Sequence, residues 1–85
     1  MKELFAAINH VCSSIEAKIL ITIIAHEDEG LFAPTPEYML RMTGITRKNH
    51  YFANRKKLVE KGYINISPDG TISINKGKII SDYNT

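Results

Sequence analysis

The sequence has little of the residues that mark several protein classes. Among 85 residues there are one cysteine, three prolines and five glycines. Cys12 alone cannot form a disulfide within the chain, so we expect a reducing compartment. The low proline and glycine content, with 44% hydrophobic and 24% charged residues, excludes collagen-like, low-complexity and disordered chains. The composition therefore predicts a single folded domain.

Long apolar runs and targeting signals are also missing. The longest apolar run, residues 19–25, has seven residues and contains Thr22, whereas a bilayer span needs about 20. The first residues, Met1 to Leu4, do not lead into an apolar stretch with a small-residue cleavage site. We therefore expect a cytoplasmic protein that does not enter the membrane.

No group of residues predicts catalysis or a bound metal. Cysteine and histidine never stand at a metal-ligand spacing, and no Gly-rich phosphate loop or activated nucleophile is present. His10 and His26 have no neighbours that would complete a proton-transfer set, which favours structural roles. The acidic run 27–29 is interpreted as a loop between helices. We expect no enzymatic activity, no metal and no cofactor.

Positive charge is concentrated in one segment. Residues 41–61 contain seven basic residues and one acid, a net charge of +6, whereas the rest of the chain carries −4. Such a segment is typical of a phosphate-binding surface, because a polyanion is held by neutralising its phosphates. A solvated helix surface would have the same composition, so the surrounding pattern must decide between the two.

Residue spacing predicts four helices. Residues 2–12 have one apolar helical face, and Ser13 with Glu16 reads as a capping box that starts a second helix over residues 14–26. Thr35 followed by Pro36 predicts the start of a third helix, which ends at Gly44. Ile45 is an apolar plug in the turn. Thr46 is predicted to cap a fourth helix over residues 47–61, which Gly62 ends.

After Gly62 the spacing changes to the alternation of strands. Isoleucines at 64, 66, 72 and 74 alternate with polar residues, and Pro68-Asp69-Gly70 predicts the turn between two strands. An antiparallel register pairs Ile66 with Ile72 and Ile64 with Ile74, on one face. The tail, residues 76–85, is expected to form one helical turn or to fray.

The turn has the sequence Thr43-Gly44-Ile45-Thr46, and it is followed by Tyr51, Leu58 and Lys61-Gly62-Tyr63-Ile64. With this pattern, the sequence over residues 14–75 resembles the winged helix-turn-helix DNA-binding superfamily. In that family a turn with an apolar plug precedes the recognition helix, and a leucine four residues before a glycine docks that helix. The sequence is also similar to plasmid and phage replication, segregation and regulatory proteins of low-GC bacteria. The resemblance implies an α+β fold, mostly α, with a two-stranded hairpin wing and an extra N-terminal helix.

A helical projection of residues 47–61 separates two sides. Tyr51, Phe52, Leu58 and Val59 fall on the side interpreted as core, where Arg55 is expected to snorkel or to pair with an acid. The opposite side has small and polar residues suited to reading bases, and cations suited to phosphate. The predicted DNA-binding residues are Arg41, Thr46, Arg47, Lys48, Asn49, His50, Ala53, Lys56 and Lys57.

These patterns predict a DNA-binding homodimer. Residues 1–13 are predicted to be a dimerisation helix, residues 14–75 the winged helix-turn-helix domain and residues 76–85 a tail. We expect a dimer because the first two helices and the tail offer more apolar surface than so short a chain can cover. Double-stranded DNA is the expected partner, together with a possible protein of a replication or segregation machinery. The hairpin tip carries Asp69, so we expect few DNA contacts there. A winged-helix module that binds proteins is the alternative.

Overall fold

The structure is a computed structural model, and it describes residues 2–85. It is mostly helical, with one two-stranded antiparallel sheet, as the α+β, mostly α class predicts. The elements in chain order are α1 (Lys2–Val11), α2 (Ser14–Ala25), a 3-10 turn (Glu27–Glu29), α3 (Pro36–Thr43), α4 (Lys48–Glu60), β1 (Ile64–Ile66), β2 (Ile72–Ile74) and α5 (Lys76–Tyr83).

The central helix α2 begins at the predicted capping box. The Ser13 hydroxyl accepts the Glu16 amide at 3.2 Å, and the Glu16 carboxylate accepts the Ser13 amide at 2.8 Å. These bonds satisfy two of the free amides at the helix start. Ile19 and Leu20 are fully buried because α1, α3, α4 and β2 all pack against α2, whereas Ile21 is 42% exposed. α2 is therefore the core helix of the fold.

The hairpin has the predicted register. Ile64 pairs with Ile74 and Ile66 pairs with Ile72. The Ser67 carbonyl accepts the Gly70 amide at 2.8 Å, which closes the turn. The Ile72 amide donates to the Phe32 carbonyl at 2.8 Å, so the segment between α2 and α3 is hydrogen-bonded to β2 at this residue. This bond ties the hairpin to the start of α3.

The tail differs from the sequence prediction. Instead of one turn or a frayed end, residues 76–83 form the helix α5, which Asn75 caps by accepting the Lys78 amide at 3.1 Å. Ile79 is fully buried, and α5 packs along α1, whose Leu4 and Ile8 are buried as well. The apolar surface from which we predicted a dimer is thus largely covered within one chain, and dimerisation stays a prediction.

Candidate nucleic-acid interface

The turn between α3 and α4 fixes the orientation of the basic helix. Gly44 adopts the left-handed conformation at φ +76° and donates its amide to the Leu40 carbonyl at 3.0 Å. The Thr43 hydroxyl donates to the Met39 carbonyl at 2.6 Å and accepts the Ile45 amide at 3.3 Å. Ile45 is buried, as the predicted plug. The turn is therefore held by hydrogen bonds and by packing.

One side of α4 is anchored in the core. Tyr51 and Leu58 are 1% and 0% exposed. Burial raises the pKa of the Tyr51 hydroxyl, and the positive charge of Arg55 opposes this effect. At the far end, the Leu58 carbonyl accepts the Tyr63 amide at 3.0 Å, and Gly62 has φ +78°. With one side buried, the opposite side of α4 faces solvent.

The start of α4 differs from the prediction by one residue. The N-cap is Arg47 rather than Thr46, and its side chain makes no capping hydrogen bond. Arg47 has the extended backbone of an N-cap, φ −117° and ψ 128°, and a guanidinium has only donors to offer. Thr46 is exposed and does not cap. The first amides of α4 are therefore without a side-chain acceptor, an arrangement that favours an anionic ligand.

All nine predicted DNA-binding residues are exposed. Six of them lie on α4, and Arg47 is its N-cap. Arg41 lies on α3, one turn after Glu37 and on the same face. The Lys48 ammonium contacts the Glu37 carboxylate at 3.0 Å, so this face of α3 adjoins the start of α4. Arg47 and Lys48 therefore lie next to α3, while the Arg41 guanidinium carbon lies 5.6 Å from the Tyr38 ring centroid on α3 itself.

Most cations of this surface are not paired with acids. In residues 2–85, no carboxylate lies within 4.0 Å of the ionised groups of Arg41, Arg47, Arg55, Lys56 or Lys57. The cations at the opposite end of the chain are paired, Lys76 with Glu27 and Lys78 with Asp82. We call the exposed cations of α3 and α4 the basic surface (Arg41, Arg47, Lys48, Lys56 and Lys57). Within residues 2–85, Lys48 is the member of this surface that pairs with an acid, Glu37.

Lys61 belongs to the core side rather than to the basic surface. Its ammonium lies 2.9 Å from Glu16 Oε2, and Glu16 is 2% exposed. Burial alone would raise the pKa of Glu16, but the Ser13 amide and the Lys61 ammonium outweigh burial and lower it. Cys12 lies in the same region, where burial and Glu16 raise the pKa of the thiol to about 11. A protonated thiol is a poor nucleophile.

The core prediction is wrong for two residues of α4. Phe52 is 39% exposed and Val59 is 42% exposed, because the core contacts only the narrower side formed by Tyr51 and Leu58. Arg55 neither pairs with an acid nor points freely into solvent. Its guanidinium carbon lies 5.0 Å from the Phe52 ring centroid and 5.8 Å from that of Tyr51, a cation–π arrangement.

The hairpin tip carries negative rather than positive charge. The Asp69 carboxylate accepts the Thr71 amide at 3.0 Å, and this bond lowers the pKa of Asp69. Ser67 is exposed and Thr71 is half-buried. Lys76, which follows the hairpin, pairs with Glu27. The tip therefore has little to offer a phosphate.

An aromatic cluster at the end of α2 was missed in the sequence. His26 Nδ1 lies 2.8 Å from the Thr22 carbonyl, and Nε2 lies 2.5 Å from the Tyr38 hydroxyl. The Phe32 ring stacks on His26 at 4.3 Å, and a shallow pocket of about 380 Å³ opens beside them. Both nitrogens are used in hydrogen bonds, and residues 2–85 contain no group of three ligands suited to a metal. Spacing in the sequence gave no signal, since the loop 27–35 brings these rings together.

Residues 2–85 contain no helix with both the length and the apolar character needed to cross a bilayer. Comparison of the chain with protein-family models, with curated proteins and with solved structures gave no match. The basic surface is therefore the feature of the molecule from which a function can be inferred.

Proposed function

We propose that this chain is a winged helix-turn-helix protein that binds double-stranded DNA as a homodimer, with α4 in the major groove. It would act as a transcriptional regulator or as a replication or segregation factor of a plasmid or phage. The observation that carries the proposal is the basic surface, whose exposed cations are largely unpaired beside the uncapped start of a docked helix. The free amides of such a helix start and the cations beside it can bind phosphate groups, while Asn49, His50 and Ala53 can contact the edges of bases.

The order of elements supports the assignment to this superfamily. Two helices meet at a left-handed glycine, and the hairpin follows the second of them. The bond from the Ile72 amide to the Phe32 carbonyl joins the hairpin to the segment that precedes α3. In a two-fold dimer the two copies of α4 would enter successive major grooves about 34 Å apart.

A protein-binding module is the second candidate. Phe52 and Val59 are exposed apolar side chains on α4, and exposed apolar side chains are typical of protein interfaces. They stand two helical turns apart beside Lys56, an exposed cation, so the surface has no continuous apolar centre. For this reason we favour DNA.

The test is binding of a labelled duplex library as a function of salt. The variant Arg47→Ala/Lys56→Ala removes two exposed, unpaired cations of the basic surface. We expect its affinity to fall more than tenfold and the slope of log affinity against log salt to become shallower by about 1.8 per subunit, or about 3.6 for a bound homodimer. Lys2→Ala/Lys18→Ala is the matched control, because both residues are exposed and, in residues 2–85, no carboxylate lies within 4.0 Å of either ammonium.

Two results would contradict DNA binding through α4: duplex affinity that does not depend on salt, or equal losses in the two double variants. Absence of duplex binding at low salt would favour the protein-binding module. A footprint on the DNA upstream of the chain's own coding sequence would then distinguish a regulator from a replication or segregation factor.

A further inference from the structure

Phe52 is an aromatic side chain held at the surface of α4. Its neighbour Tyr51 is 1% exposed, whereas Phe52 is 39% exposed. The two rings meet edge to face, with centroids 5.2 Å apart and planes at 61°. Tyr51 is fixed by the core, so this contact also restrains the ring of Phe52. A restrained ring loses little conformational entropy when it binds.

Cations surround this ring. Lys48, Arg55 and Lys56 stand four residues before, three after and four after Phe52, which places all three next to it on the helix surface. The guanidinium of Arg55 lies 5.0 Å from the ring centroid. The other large apolar residue exposed on α4, Val59, is seven residues away, or about 10 Å along the axis. Apart from the small side chain of Ala53, Phe52 is therefore an isolated apolar group within a cationic surface.

This arrangement fits a base edge better than a protein. A protein hot spot needs an apolar centre that excludes water, whereas Phe52 has charged neighbours on the side of α4 that faces solvent. The major groove offers one isolated apolar group, the C5-methyl of thymine, with phosphates on either side. The cations beside Phe52 are opposite in charge to those phosphates and can therefore neutralise them.

We propose that Phe52 contacts the C5-methyl group of a thymine and determines specificity for it, and that Arg55 is a positioning residue that holds the ring. The inference rests on the proposed function, since it assigns a base contact to the same surface. Burial of one methyl-sized group changes affinity about fourfold. The contact should therefore appear as a preference for thymine over deoxyuridine, which differs only by that methyl.

The experiment uses duplexes that the full chain selects from a random-sequence duplex library. Each thymine of a selected duplex is replaced in turn by deoxyuridine, and affinities are measured by fluorescence anisotropy at fixed salt. We expect a loss of about fourfold at one or two positions and no change elsewhere. If no thymine-to-deoxyuridine replacement lowers the affinity, the proposal is wrong.

Two variants assign the effect to a residue. In Phe52→Ala the ratio of thymine to deoxyuridine affinities at the sensitive position should fall to about one. Val59→Ala is the matched control, because it truncates an equally exposed apolar residue on the same side of α4. It should keep the wild-type ratio. A Phe52→Ala protein that still prefers thymine fourfold would overturn the assignment.

Arg55 is tested through the same ratio. Arg55→Met keeps an unbranched stem over the ring and removes the charge. A phosphate contact alone would lower the affinity for both duplexes equally and leave the ratio intact. We expect the ratio to fall, because the ring loses the group that holds it. An unchanged ratio would remove Arg55 from the proposal.

A measurement on the wild-type protein does not depend on the folding of any variant. 5-Iodouracil replaces thymine at the sensitive position, and ultraviolet light couples it to a nearby aromatic side chain. We expect the crosslinked peptide to contain Phe52. A crosslink elsewhere, or none, would contradict the proposal while leaving DNA binding intact. Failure to select any duplex would instead contradict the proposed function itself.

Discussion

Lys61 and Glu16 form an ion pair that joins the end of α4 to the start of α2, with Lys61 Nζ 2.9 Å from Glu16 Oε2. The side chain of Glu16 is 3% exposed and that of Lys61 is 38% exposed. Glu16 Oε2 has no hydrogen-bond partner of good geometry in residues 2–85, so the ammonium is its main compensation. The pair links the helix that carries the basic surface to the core helix.

The unequal burial of this pair predicts unequal effects of removing each partner. Lys61→Met leaves a buried carboxylate without its cation, and we expect a loss of about 2 kcal/mol in the free energy of unfolding. This loss is smaller than the ~3–5 kcal/mol lost when one partner of a fully buried pair is removed, because water reaches the site beside Lys61. Glu16→Gln keeps an acceptor for the Ser13 amide and lets Lys61 turn to water, so we expect about 1 kcal/mol or less. Urea denaturation measures both, and a larger loss in Glu16→Gln would contradict the role of burial.

The lowered pKa of Glu16 predicts a pH dependence. A carboxyl group whose pKa is lower in the folded chain stabilises it above the unfolded-state value, ordinarily 4.5. That stability is lost as the pH falls through the folded-state value. The advantage of the wild type over Glu16→Gln should therefore be full at neutral pH and shrink below about 4.5. Urea midpoints across this range provide the measurement, and a constant difference would contradict the ionised pair.

Local signals in the sequence were sufficient for most of the fold. The capping box at Ser13, the left-handed Gly44 and the turn around Asp69 depend on residues within four positions, and the structure has all three. The hairpin register followed because alternation and turn length fix it together. Exposure of the candidate residues on the outer side of α4, such as Asn49, Ala53 and Lys56, was likewise predictable from the helical period.

Features that depend on distant contacts were not predictable from the sequence. The short tail forms α5 because α1 supplies the surface that buries Ile79, and its own residues 76–83 carry only a weak helical pattern. Phe52 and Val59 are apolar like core residues, but the width of the contact between α4 and α2 decides which residues of α4 are buried. The pairing of Lys61 with Glu16 spans 45 residues, and no local pattern marks it.

The packing of α5 predicts that the tail is part of the core. Ile79 is fully buried, so Ile79→Ala should lower the free energy of unfolding by about 3 kcal/mol through lost burial and a cavity. Ser81→Ala, on an exposed position of the same helix, should change it by less than about 0.5 kcal/mol. Denaturation curves of the two variants test this. Equal stability would mean that α5 does not dock on α1.

Two glycines predict opposite effects of the same substitution. Gly44 has φ +76° and open space around the Cβ position, so Gly44→Ala should cost about 1 kcal/mol from the backbone alone. Gly44→Asn should cost less, because Asn tolerates this conformation.

Gly77 lies within α5 without a positive φ, and an added Cβ would meet only ordinary contacts. Gly77→Ala should therefore stabilise the chain by about 0.5 kcal/mol, which thermal unfolding measures. A destabilised Gly77→Ala would contradict the helical placement of Gly77.

The ion pair between Glu37 and Lys48 is expected to limit the proposed affinity for DNA. Its carboxylate holds the Lys48 ammonium at 3.0 Å, and this hydrogen bond lowers the pKa of Glu37. A phosphate must displace that carboxylate before Lys48 can contact it. In Glu37→Gln, Lys48 is released and a repulsive charge is removed, so duplex affinity should rise several-fold. The salt slope should become steeper by up to about 0.9 per subunit, the contribution of one additional phosphate contact, or about 1.8 for a bound homodimer.

Glu29→Gln is the matched control for this prediction, because the side chains of Glu29 and Glu37 are both 67% exposed and the substitution removes the same charge. Glu29 lies in the 3-10 turn after α2, away from α4. A change in net charge alone would raise affinity equally in both variants, whereas release of Lys48 raises it only in Glu37→Gln. Anisotropy titrations at several salt concentrations separate the two explanations, since only a released cation changes the slope. Equal effects in the two variants would place Lys48 outside the DNA contact.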